Sequence, residues 1–89
     1  MGDYLLGRRK ERLLARLMDP RMDSRWNERD FRAAVEAAGL VVDDGGGKGS
    51  HRAIRREGAA VMWPQGKDVP RYIPGEVRLV LLDDEGGDP

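Results

Sequence analysis

The chain has no cysteine, a single histidine, a single phenylalanine and no net charge. Without cysteine there is no disulfide framework, no thiolate nucleophile and no thiolate metal site. One histidine with scattered carboxylates is a poor ligand set for zinc, so no metal or other cofactor is expected. No apolar run approaches the roughly 18 residues needed to span a bilayer. The N-terminus also lacks the apolar core and small-residue cleavage site of a signal peptide. A cytoplasmic protein with no membrane partner is therefore expected. Eighty-nine residues fit one small domain, which buries roughly 60–65% of its unfolded surface in a modest core.

What the chain does have is charge, unevenly placed. Residues 1–56 carry 13 Lys+Arg against 9 Asp+Glu, and residues 57–89 carry 3 against 7. Between positions 45 and 56, Lys48, Arg52, Arg55 and Arg56 occur with no acid among them. Such a run is either a solvated face or a strip that follows a phosphate backbone.

Residues 4–18 carry Leu6, Leu13, Leu14, Leu17 and Met18 at mostly helical spacing with basic residues opposite, and Pro20 stops that helix. The segment reads as packed core, a partner-facing surface, or a basic anchor for RNA or membrane. Asn27 is placed as an N-cap, with Asp30 three residues on in a variant of the capping box. Phe31, Ala34, Val35 and Ala38 then share one face of a helix over 27–38, and Gly39 supplies its stop. "LVV" at 40–42 is a short strand, "DDGGGKG" a mobile turn, "SHRAIRR" a second strand, and "AAVMW" a third after a tight turn at Glu57-Gly58. Period-two alternation puts His51, Ala53 and Arg55 on one face and Arg52, Ile54 and Arg56 on the other. Ile54 is the core residue, which leaves His51 on the outer face. Residues 64–73 are an irregular linker. Pro74 suits a first helical turn, yet "EVRLVLLDD" fits helix and strand equally well. Residues 83–89 read as a disordered acidic tail.

The chemistry available to His51 is narrow. Ser50 adjoins it along the chain, which does not by itself make a nucleophile–base pair. "GGGKGS" departs from a phosphate-binding P-loop, because Gly49 follows Lys48 and Val42 stands where the first glycine belongs. Acid–base chemistry on RNA needs no metal. RNA brings its own 2′-hydroxyl nucleophile, a histidine with an ordinary pKa of about 6.5 suits a general base, and neighbouring cations offset phosphorane charge. Against this stands a surface histidine in a basic hairpin with no chemistry at all.

"GSHRAIRREGAAVMWPQGK" is similar to the HicA-type (YcfA-like) mRNA interferase toxins. Gly49-Ser50-His51, Ile54, Gly58, Val61, Pro64 and Gly66-Lys67 fall where that pattern puts them. "DFRAAVEAAGLVV" resembles the family's first helix and "PGEVRLVLL" its last, so the resemblance covers roughly residues 28–82. It implies an α+β, double-stranded-RNA-binding-domain-like fold of helix, three-stranded antiparallel sheet and helix, over residues 27–82. Residues 1–26 become an extra N-terminal helix and connector. It further implies metal-independent endoribonuclease activity with His51 catalytic, mRNA as substrate and a HicB-like antitoxin as partner. The RNA-binding set would be Lys48, Gly49, Ser50, Arg52, Arg55 and Arg56. The alternatives are a non-catalytic RNA-binding module of the same fold, or a protein-interaction domain whose basic hairpin docks an acidic partner.

Overall fold

Helix formation at the centre of the chain starts from one asparagine. Asn27 holds extended backbone, and its Oδ1 accepts the Asp30 backbone N–H at 2.7 Å. Asp30 answers through Oδ2, which accepts the Asn27 side-chain amide at 3.2 Å. The helix that follows spans Glu28–Ala37 (α2), with Glu28 and Asp30 at the favourable end of its dipole. It ends in a Schellman motif. Gly39 takes φ +89°, its N–H donates to Glu36 and the Leu40 N–H donates to Val35. That left-handed step is the reason glycine stands there.

The computed structural model describes residues 2–44, 51–64 and 68–86, with side chains from residue 8 to residue 82 within those ranges. A first helix, Gly2–Leu17 (α1), and a 3₁₀ turn at Pro20–Met22 precede α2. Strands Val41–Asp43 (β1), His51–Arg56 (β2) and Ala59–Pro64 (β3) form an antiparallel sheet in the order β1-β2-β3, and a third helix, Ile73–Gly86 (α3), follows. The class is α+β, and the order after α1 is helix–sheet–helix. No helix among the described residues is long and apolar enough to cross a membrane.

The two-residue turn at Glu57-Gly58 sets the β2–β3 register: Arg56 faces Ala59, Ile54 faces Val61, Arg52 faces Trp63 and His51 faces Pro64. On β1, Val42 faces Ile54 and Asp43 faces Ala53. One sheet face therefore carries Val42, Arg52, Ile54, Val61 and Trp63. Ile54, Val61 and Trp63 share one buried cluster with Phe31, Ala34 and Val35 of α2 and Ile73 and Val77 of α3. Both helices cover that face. Trp26, Phe31 and Trp63 meet edge-to-face, with ring centres 5.5 and 5.2 Å apart.

Residues 74–82, which the sequence left open between helix and strand, are helical. Ile73, Val77 and Leu81 recur every fourth residue toward the core, with Val80 beside them, whereas Leu79 stands 68% exposed. The strand alternation would have buried Leu79 instead. Helix α3 also runs on to Gly86, four residues into the segment expected to be a disordered tail, while 87–89 lie outside the described residues.

The N-terminal helix is part of the core. Leu13 and Leu17 are buried in the same cluster, and so is Trp26 of the connector. Arg78 of α3 fastens it, donating to the Leu17 carbonyl at 2.9 Å and to both Asp23 carboxylate oxygens at 2.8 and 2.7 Å. One of α1's C-terminal carbonyls, which has no partner within the helix, is satisfied this way. The hydrogen bond to Asp23 raises Arg78 above the ordinary guanidinium value.

Candidate functional site

His51 is the first residue of β2, opposite Pro64, and is exposed. It belongs to the face that α2 and α3 leave uncovered. Val41 and Met62 are exposed there at 63% and 46%, while the small Ala53 is buried between its cross-strand neighbours Asp43 and Met62. The outward register of His51 follows from Ile54 taking the core side, as alternation requires. Lys48, Gly49 and Ser50 lie outside the described residues.

Among the described residues, the cations of the basic run do not form one surface. Arg52 is 2% exposed on the helix-covered face. Its Nη1 donates to Glu28 Oε1 at 2.8 Å, its Nη2 donates to the Pro64 carbonyl at 3.1 Å, and its guanidinium carbon lies 3.8 Å from the Trp63 ring centre. Arg52 thus stands on the face opposite His51, where strand alternation puts it. From this position its charge holds the α2 N-terminus to the sheet. Arg55 shares the face of His51 and stands about 13 Å away along the strand, ion-paired with Asp43 at 3.4 Å. Arg56 is half-buried on the inner face, beside a groove lined by Leu14, Met18, Ala37, Ala38, Leu81 and Leu82.

Two residues of α2 that sequence reasoning missed organise this end of the molecule. Glu28 and Arg32 are one helical turn apart, so their side chains leave the same flank. Glu28 takes Arg52, next to His51, and Arg32 donates to Asp44 Oδ1 at 2.6 Å. Asp44 and His51 border segment 45–50 on either side, so one flank of α2 fixes both strand ends that flank the glycines. The Arg32 hydrogen bond lowers the Asp44 carboxyl below its ordinary value, and Asp44 raises Arg32. A cleft of about 490 Å³ lined by Asn27, Glu28, Arg29 and Arg32 opens beside this clamp. The sequence signal for it was the acid–base pair at i and i+4 on α2, opposite in sign to Arg52 and Asp44.

Chemically, the described residues offer one exposed imidazole, one arginine further along the same strand face, and two strand ends held by α2. Among the described residues no group of three or more acidic or histidine side chains could hold a metal ion. No protein-family model matches this chain, and no curated protein or solved structure matches it either.

Proposed function

We propose that this protein is a metal-independent endoribonuclease, an mRNA interferase of the HicA type on a double-stranded-RNA-binding-domain-like fold, with His51 as its general base. One observation carries the reading. The chain's single histidine, directly after Gly49-Ser50, stands exposed at the start of β2 on the sheet face left open by both helices. The helix–sheet–helix order after α1 agrees with the resemblance over residues 28–82.

In this mechanism a neutral His51 accepts the proton of the 2′-hydroxyl. The 2′-oxygen attacks the adjacent phosphorus, the P–O5′ bond breaks, and the 5′-oxygen leaves and takes up a proton from solvent. The products are a 2′,3′-cyclic phosphate and a 5′-hydroxyl. Backbone amides of the glycine segment and Lys48 stabilise the phosphorane, and Arg55 serves a neighbouring phosphate. A HicB-like antitoxin would restrain the enzyme in the cytoplasm. A second reading is a non-catalytic RNA-binding module of the same fold, which keeps exposed Arg55 as a phosphate contact and gives His51 no proton to transfer.

His51→Ala separates the two readings. The variant should lose mRNA cleavage and growth arrest with its melting temperature unchanged, because the side chain is exposed. Wild-type cleavage should persist in EDTA and leave cyclic phosphate ends. An alanine variant that still cuts, or wild-type cleavage that EDTA stops, defeats the mechanism.

A further inference from the structure

Helix α1 precedes the region of resemblance, and its placement suggests a task. From residue 8 onward its apolar side chains Leu13 and Leu17 are buried, while Arg8, Arg9, Lys10 and Arg12 are exposed with Glu11 as the one acid among them. Arg8, Arg12 and Arg16 recur every fourth residue and Arg9 lies beside them, so one flank carries an arginine stripe about 12 Å long.

The stripe has a fixed orientation in the molecule. Arg16 stacks on Trp26 with its guanidinium carbon 4.2 Å from the ring centre, and it donates to the Arg25 carbonyl at 3.3 Å. Arg16 and Arg9 both reach Asp30, in the first turn of α2, at 3.6 and 4.0 Å. The flank thus borders segment 25–30, where Arg25 and Arg29 are also exposed. The same first turn of α2 supplies Glu28, the partner of Arg52, which directly follows His51. The stripe thus borders the helical turn that holds the start of β2, where His51 stands on the opposite face of the sheet.

We propose that the α1 arginine stripe, continued by Arg25 and Arg29, is a phosphate-backbone tract that leads an RNA strand across the first turn of α2 to His51. This rests on the RNA-directed reading above. Arginine in six of the seven exposed cations from Arg8 to Arg29 fits forked contacts to phosphate oxygens. An anionic membrane is the poorer partner, because a surface-seeking helix must insert its apolar face, and Leu13 and Leu17 of α1 are buried in the core.

The test uses the full chain carrying His51→Ala, so that the RNA stays intact, and a labelled single-stranded RNA of mixed sequence titrated at several salt concentrations. Adding Arg9→Gln and Arg12→Gln should weaken binding about tenfold near 0.15 M salt and flatten the salt slope by about 1.4, since each phosphate contact to a single strand contributes about 0.7. The melting temperature should hold, because both side chains are exposed. Unchanged affinity and slope in the double variant overturn the tract, and so does a parent that binds no RNA. Binding of the parent to phosphatidylserine–phosphatidylcholine vesicles in preference to RNA overturns it in favour of a membrane surface. If the wild type cuts nothing while the double variant still loses RNA affinity, the nuclease reading falls and the tract stands.

Discussion

Replacing Arg52 probes the joint between α2 and the sheet, and its cost can be worked from the contacts. The guanidinium makes an ion-paired hydrogen bond to Glu28 at 2.8 Å and a weaker, longer one to the uncharged Pro64 carbonyl at 3.1 Å. A hydrogen bond to a charged group contributes about 1.5–3 kcal/mol and an ordinary one about 1 kcal/mol. Glu28 keeps 42% of its side chain exposed, so it regains water when Arg52 is lost, which puts the pair at the low end of that range. Stacking on Trp63 in a desolvated setting contributes about 1–2 kcal/mol. Arg52 Nε is buried without a hydrogen-bond partner, a cost that disappears on substitution. Arg52→Ala should therefore lose about 3 kcal/mol, a shift of roughly 12–24 °C in melting temperature for a domain of this size. Arg52→Met keeps an apolar stem and a sulfur–aromatic contact, so it should lose only about half as much. Urea unfolding followed by circular dichroism measures both, and a cycle with Glu28→Gln isolates the pair, expected to couple by about 1 kcal/mol. A loss below about 1 kcal/mol for Arg52→Ala, with no coupling to Glu28, would refute the joint.

The Arg32–Asp44 clamp should appear in the acid limb of the stability curve. Because the folded-state Asp44 pKa lies below its ordinary value of 3.8, its contribution is complete above that value and is lost as pH falls through the folded pKa. Asp44→Asn should flatten that limb, more clearly at low salt, and a variant curve parallel to wild type down to the acid transition would count against the clamp. At the hairpin, Glu57 adopts φ +51°, a left-handed backbone unfavourable for a glutamate. Glu57→Gly should relieve it and raise stability by about 0.5–1 kcal/mol. A lower melting temperature for that variant would show that Glu57 is held there by contacts worth more than its strain.

Local signals carried much of the fold. Asn27 with Asp30, the Gly39 stop and the Glu57-Gly58 turn are short-range devices whose geometry involves only neighbouring residues, so α2 and the hairpin were legible from the chain. The outward register of His51 followed from Ile54 alone. A two-residue turn even fixes which residues oppose each other, so Arg52 against Trp63 could have been read by counting back from Glu57-Gly58. Three things were decided only by tertiary structure. Residues 74–82 suited helix and strand equally, and α3 formed because Ile73, Val77 and Leu81 fill the space beside Ile54, Val61 and Trp63. Alternation put Arg52 on the core side, but only packing supplied Glu28, the Pro64 carbonyl and the Trp63 ring, which together hold a charge that water would otherwise claim. From the chain, the N-terminal helix suited packed core, a partner-facing surface or a basic anchor. It became part of the core because Leu13 and Leu17 have α2 to pack against and Arg78, 61 positions along the chain from Leu17, closes the contact. Sequence periodicity states which face of an element is apolar, while the partner that covers it depends on contacts between residues far apart in the chain.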